Sequence, residues 1–417
     1  MSLAPSPAHQ TDPSETFFKF LKGNVDFRRV WLIGIFSGVI RWLEFLAFGI
    51  YVFDLTGSAF LVTVFTLSRF VPFALFGVVT AALVDRFGHQ NVLRYSLTMM
   101  VLSSSLLVVL ATTGNLELWH VALASILSGF YWTTDFPARR NLIGFLAGPD
   151  LLARALSFDA ASNTMTRAIG PLFGGLLMAS LGISGILVLS LCLYLVALIL
   201  ALRLTTRNNP LQNVASGLFR EILGGFRFAR NRPDLLAAFA ITVIFNLFGF
   251  PFTALIPVIG KLTLGLSPDG VGLVAASEGV GAMIGAILAG RASSVGHMWG
   301  NYIGGVSACL VGIIVMGSGQ HIASVVPGIM LAGFGGGFFA ATQVMIVYRL
   351  SPPDQRSRML GILSICIGTA PIGFVILGYM SDLMGTSLSL ILMGLEGLIA
   401  IALFWLFFRR AVRSSTN

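Results

Sequence analysis

Charge is the scarcest thing in this sequence. Asp, Glu, Lys and Arg make up 10% of it, where a soluble domain carries about a quarter. That excludes a protein whose whole surface faces water. Lysine is rarer still, at three residues against 23 arginines. The five histidines are scattered, and Cys192, Cys309 and Cys366 share no ligand spacing. A metal site is therefore not expected, and the thiols read as buried, inert packing groups. No Walker A run is present, so ATP is not expected to drive the protein, and no cofactor is implied. No Ser/His/Asp or Cys/His constellation suggests an enzyme. No zinc-finger or RNA-binding motif suggests a nucleic-acid partner. "GFGGGFF" (333–339) contains G-x-G, but no strand precedes it and no phosphate-binding lysine follows. Close helix packing by small residues explains it better.

What the chain has instead is apolar length. It is 56% hydrophobic over 417 residues, with a mean hydropathy of +0.89. This predicts an all-α membrane protein, since a spanning helix needs roughly 20 apolar residues. Twelve such runs fall at 30–53, 58–83, 92–113, 119–140, 154–180, 183–203, 235–258, 270–290, 299–318, 321–348, 358–380 and 387–408. Residues 1–26 are polar and Pro/Ser-rich, with no apolar signal core, and read as a disordered tail whose "FFKFLKG" lies on the membrane surface. The long connector, 205–234, ends in the basic amphipathic "SGLFREILGGFRFARNRP".

The net charge of +9 reports topology. With the N-terminus in the cytoplasm, 22 of the 26 basic residues fall on the cytoplasmic side, Lys261 falls outside, and Arg41, Arg69 and Arg167 fall within the membrane. This obeys the positive-inside rule and places both termini in the cytoplasm.

Six spans, a connector and six spans suggest duplication. At an offset near 200, "RAIGPLFGGLL" (167–177) aligns with "GTAPIGFVILG" (368–378). "AALVDRFGHQ" (81–90) aligns with "GAILAGRASS" (285–294), and "LAGPDLLARAL" (146–156) with "LSPPDQRSRML" (350–360). The halves are 27–204 and 235–408, followed by a tail at 409–417.

"AALVDRFGHQ" resembles the signature loop G-x-x-x-D-R-x-G-R-R/K of the major facilitator superfamily through Asp85, Arg86 and Gly88; Ala81, His89 and Gln90 depart from it. "IGPLFGGLL" resembles that superfamily's antiporter motif through Gly170, Pro171, Gly174 and Gly175. "FDLTGSAFLVT" (53–63) and "GFRFARNRPDLL" (225–236) are similar to the exporter branch containing the enterobactin exporter and the macrolide efflux proteins. The resemblance implies two pseudo-symmetric six-helix bundles around a central cavity. It also implies alternating access, and a gate in which Asp85 and Arg86 latch against Arg356 or Arg358 at the start of span 11.

The charges inside the spans are the candidate site. A charge at the bilayer centre costs about 2.5–3.5 kcal/mol on insertion scales and so is retained for a reason. Arg41 and Glu44 share a helix face three residues apart. Arg69, Arg167 and Glu278 fall at similar depth on spans 2, 5 and 8, with Asn163 and Asp159 a turn or two from Arg167. Asn246 and Gln343 add polar groups on spans 7 and 10. Three readings stand: Arg41–Glu44 is an intrahelical pair that lowers burial cost, the set is a substrate and proton site, or the charges are gating pairs that break during the cycle. In the second, Glu44 or Glu278 carries the proton, and the arginines hold an anionic or oxygen-rich substrate. Trp42, Phe45, Phe48, Tyr131, Trp132, Phe245 and Phe248 could line its apolar part. Asp135 and Arg139, ending span 4, read as a latch to loops or lipid phosphate. Glu396, in the middle of span 12, has no assigned role.

These observations predict a multi-pass inner-membrane exporter, monomeric, moving a small amphipathic or anionic molecule by proton antiport. An uptake carrier or lysolipid flippase of the same fold remains open, as does a non-transporting receptor.

Overall fold

The computed structural model describes residues 13–72, 75–76, 87–205, 218–291, 298–352 and 355–414; within them the regular structure is helical. The elements used below are α1 (Pro13–Gly23), α2 (Val25–Thr56), α3 (Ala59–Ser68), α4 (His89–Thr112) and α5 (Leu118–Leu202). They continue with α6 (Leu218–Arg230), α7 (Pro233–Thr263), α8 (Pro268–Arg291), α9 (Met298–Ser318) and α10 (Ile322–Leu350). The last are α11 (Arg356–Ile367), α12 (Ala370–Met384) and α13 (Thr386–Ser414). Among the described residues, nine stretches are long and apolar enough to cross a membrane.

Local chemistry sets the boundaries. The Asn24 side chain accepts from the Phe27 N–H at 2.9 Å and caps α2, which ends on left-handed Gly57 at φ 64°. Ser58 caps α3 by accepting from the Leu61 N–H. The 85 residues of α5 would make an unbroken helix about 130 Å long, several times the bilayer's ~30 Å core. The chain turns instead at Gly148 (φ 67°, ψ 174°) and Gly182 (φ 62°, ψ −163°), giving helical segments 118–147, 149–181 and 183–202. Proline does the bending elsewhere. Around Pro251 and Pro257, α7 passes through π and 3-10 turns between Phe245 and Thr263, because proline removes an amide donor and crowds the preceding turn. Pro171, by contrast, sits inside a continuous segment, whereas the break near Pro371 falls at Gly368 and Thr369, ahead of it.

The helix ends gather at two levels. At one, called the terminal end here, Asp26 accepts from the Thr205 amide and hydroxyl at 3.1 and 2.6 Å. There too Arg29 donates to the Arg203 carbonyl and Arg232 to the Leu350 carbonyl. At the other, the distal end, Lys261 meets Asp54 at 3.0 Å, and the Ser58 hydroxyl donates to Asp382 at 2.7 Å. One apolar core is built from residues of 17–204; a larger one is built mainly from 229–412 and reaches into the first half through Leu46, Ile50 and Val62.

Two expectations are corrected. Residues 13–23 form a helix, not a disordered tail. Phe17 is buried against Phe27 and Phe158 with edge-on ring contacts at 6.3 and 5.6 Å, since an aromatic side chain this large gains more from a packed groove than from a headgroup layer. The connector helix α6 packs on protein: Gly225 faces Ile362, Arg358 and Met359. The glycines of "GFGGGFF" pack as expected, Gly333 against the Glu278 backbone and Gly335 against Cys309. Cys192 is exposed on the outer surface, not buried; Cys309 is buried and Cys366 half-buried, and all three thiols are free.

Candidate functional site

The charged residues of the spans separate into three groups. The first lies at mid-depth in the first half. Glu44 of α2 ion-pairs with Arg69, just past the end of α3, at 3.5 Å, both side chains 4% exposed. The intrahelical Arg41–Glu44 pair is not formed. Arg69 Nη1 donates to the Arg41 carbonyl at 2.9 Å, so it ties the two helices together through charge and backbone alike. Arg41 turns to α5, where its guanidinium lies over the Trp132 ring at 4.8 Å.

The second group is one helical turn or more toward the terminal end. Arg139 is 1% exposed and lies between Asp135 on its own segment and Asp159 on the next, 3.6 Å from the former and in direct contact with the latter. Tyr131 donates to Asp135 at 3.3 Å and shares a 2.5 Å hydrogen bond with Ser37. Gly34 of α2 lies directly on the Arg139 guanidinium. Asp135 and Arg139 were expected as a surface latch and are instead buried between three helices. The physical reason is the bend at Gly148, which folds 149–181 back so that Asp159 covers them. Sequence reading missed Tyr131 and Ser37 as members of this network; its only signal was the i, i+4 spacing of Tyr131, Asp135 and Arg139.

The third group joins the halves. Arg167 of α5 grips Glu278 of α8 with both prongs, Nε to Oε2 at 2.7 Å and Nη2 to Oε1, and it lies over the Trp42 ring at 5.0 Å. Trp42, Phe45, Pro171, Thr253 and Ala275 line the same narrow cleft. Glycine permits this approach. Gly279 lies on the Arg167–Ala168 backbone, Gly175 on Gly272, and Gly174 against Leu43. Gly170 and Pro171 carry the same contact, to Trp42 and to Gly272 respectively. An aromatic block continues the seam. Phe70 stacks on Phe374 at 5.5 Å and meets Trp132 and Phe250 edge-on, each at 5.4 Å. Phe250 and Phe374 had no sequence signal beyond being aromatic.

Asn246 and Gln343 do not join these groups. Asn246 donates to the Thr242 carbonyl, and Gln343 donates at 3.4 Å to the Thr242 hydroxyl, which also bonds Tyr302 at 2.7 Å. They form a separate buried polar network inside the second half, as a dry interior requires of amide groups. The Asn163 carbonyl accepts from Thr166. Glu396 is exposed on the outer face of α13. Of the expected gate, Asp85 and Arg86 lie outside the described residues. Gly88 adopts φ 82° at the start of α4. Arg356 donates to Tyr348 and stacks on its ring, and Arg358 donates to Gln355, so both have partners in their own half.

Apolar spans bearing paired internal charges across a two-part seam define a polytopic membrane protein built around a polar path. A family model described as "transmembrane secretion effector" matches residues 18–416. Macrolide efflux protein A of Streptococcus pyogenes is 20% identical over 381 residues, 88% of this chain and 92% of its own length. The staphyloferrin A transporter of Staphylococcus aureus is 20% identical over 346 residues, 82% of this chain and 86% of its own. In three dimensions the chain superposes on a bacterial homologue of the lysosomal transporter Spinster, in an inward-facing and unoccupied conformation. The TM-score is 0.72 and the identity 15%, covering 97% of this chain and 98% of that one. The chain belongs to the transmembrane secretion effector family, within the major facilitator superfamily. It is a multi-pass membrane transporter, not an enzyme.

Proposed function

We propose that the chain is a proton-coupled exporter of small amphipathic or anionic compounds in the cytoplasmic membrane. It has twelve spans in two six-helix halves, 27–204 and 235–408, with both termini and the connector 205–234 in the cytoplasm. The distal end then faces outward. There Asp54–Lys261, Ser58–Asp382 and Gly175–Gly272 close the seam, which leaves the terminal side to receive a compound from the cytoplasm.

The observation that carries the reading is the Arg167–Glu278 pair. It is buried and two-pronged, and it spans the two halves. To open outward the halves must part here, which strips Glu278 of its arginine and leaves a carboxylate in a poorly solvated seam. In the proposed cycle Glu278 carries the proton while Arg167 is away. When the halves close again, Arg167 returns and displaces that proton toward the cytoplasm. Efflux and proton entry are then coupled by one ion pair. The efflux names of the relatives support the direction.

The test is transport into inverted membrane vesicles of radiolabelled macrolide and of staphyloferrin A, the compounds named for the relatives. Glu278→Gln is expected to abolish accumulation driven by a proton gradient and to leave downhill exchange intact. Full proton-driven accumulation by Glu278→Gln would move the proton to Glu44, whose own Gln variant then becomes the deciding one.

A further inference from the structure

Of the arginines among the internal charges described above, three are ion-paired. Arg69 is paired with Glu44, Arg167 with Glu278, and Arg139 with both Asp135 and Asp159. Arg41 has neither an ion pair nor a side-chain hydrogen bond among the described residues. It is only half-buried, and none of its nitrogens is a buried donor lacking a partner. Its N–H groups therefore end at accessible surface. A guanidinium stays charged at any physiological pH, so this is a permanent cation with no direct partner, facing Asp135 only through space.

Its surroundings give it a direction. The Trp132 ring holds the guanidinium at 4.8 Å, engaging one face of it. That leaves the in-plane N–H edge available, which is the edge that grips a carboxylate. Phe70 meets Trp132 edge-on and stacks on Phe374, so an apolar aromatic wall stands next to the cation. Arg41 precedes Leu46, where the first half begins to share the second half's core, by five residues. That is about 7 Å along the helix toward the terminal side, so the site lies on the side open to the cytoplasm in the proposed topology. The nearby carboxylate, Asp135, is shared with Arg139, which Asp159 also contacts, so two cations face two carboxylates here; Arg41 still makes no direct bond to either among the described residues. An N–H edge without a hydrogen-bond partner next to an aromatic wall suits a single carboxylate on a flat or apolar body; a polyanion would add further charge beside Asp135.

We infer that Arg41, with Trp132 and Phe70, is the seat for the substrate's charged end, and that the transported class is an aromatic or apolar monocarboxylate. This rests on the exporter reading and narrows its substrate.

The experiment uses the purified full chain in detergent, with 2-naphthoate and its neutral isostere 2-naphthamide as probes, read by thermal shift and by equilibrium dialysis. In the wild type naphthoate is expected to bind at least about tenfold tighter than the amide, the usual scale of a charge-assisted two-pronged contact. Arg41→Gln should bring naphthoate to the affinity of the amide. Trp132→Leu should weaken both probes together. Equal affinity of acid and amide in the wild type overturns the inference, and needs no variant to fold. So does a naphthoate affinity that Arg41→Gln leaves unchanged. Uptake of radiolabelled naphthoate and of macrolide by inverted vesicles separates the two readings. Uptake without acid preference in binding overturns the anion seat alone. Acid-selective binding with uptake of neither compound upholds the seat and counts against export alone.

Discussion

Glu44 and Arg69 show why a charge in a membrane helix is best read through its partner. Each is 4% exposed and each neutralises the other. Removing one member of such a pair leaves the second buried and uncompensated, at a cost of about 3–5 kcal/mol. Arg69→Gln and Glu44→Gln are each expected to lower the midpoint of thermal unfolding in detergent, and the double variant to lose less than the two single losses added. Strict additivity would show that the two side chains do not interact. Asp159→Asn is a milder case, since Arg139 keeps Asp135; its expected cost is about 1.5–3 kcal/mol, the scale of one hydrogen bond to a charged group. From sequence the depth of these residues was legible, because apolar runs have a known length. Their pairing was not. Arg41 and Glu44 are neighbours on one helix face, and only the approach of α3 assigned Glu44 to Arg69.

Besides the Arg167–Glu278 side-chain pair, the 149–181 segment meets the second half through glycine backbone. Gly175 lies on Gly272 with no room for a Cβ. Gly175→Val should therefore hold the distal seam apart. In a cysteine-free background, a Ser58→Cys, Asp382→Cys pair is expected to cross-link efficiently with a short bifunctional thiol reagent, and poorly when Gly175→Val is added. Equal cross-linking would place the closing force elsewhere. At the other end, α1 is held chiefly by Phe17. Phe17→Ala is expected to release residues 13–23 without unfolding the rest, seen as faster amide exchange confined to that helix; terminal elements open first when their anchor is lost. That α1 forms at all was not read from the sequence, because 11 polar-rich residues are marginal as an isolated helix and become one only against a groove.

For the whole molecule, the proposed export cycle requires a balance of inward and outward states. Two polar ties at the distal end, Asp54–Lys261 and Ser58–Asp382, are partly exposed, and exposed pairs contribute up to ~1 kcal/mol each. Losing one should change the ratio of the two states by up to about fivefold. Spin labels at Thr113 and Gln320, on distal loops of the two halves, are expected to show a larger long-distance population in Asp54→Asn than in wild type. An unchanged distance distribution would mean that the apolar seam alone sets the balance. The two ties share a pattern that could have been found in sequence. "DLTGS" (54–58) and "DLMGT" (382–386) each place a glycine at positive φ, Gly57 and Gly385, just past an acidic residue at a helix end.

The amino-acid sequence alone was enough for the class of molecule, the all-helical membrane architecture and the superfamily, because these follow from hydropathy, length and short motifs that are local along the chain. It also singled out Arg41, Glu44, Arg69, Arg167 and Glu278 as charges inside apolar runs. Tertiary structure decided which of them meet. It set Arg167 on Glu278 across the seam, buried Asp135 and Arg139 under Asp159, and drew Asn246 and Gln343 into an unrelated network. It left Arg41 without a direct ion pair or side-chain hydrogen bond among the described residues. Those outcomes depend on how helices far apart in sequence cross, and crossing is fixed by glycine contacts and bends such as Gly148 and Gly175, whose effect on distant side chains is not written in the residues they join.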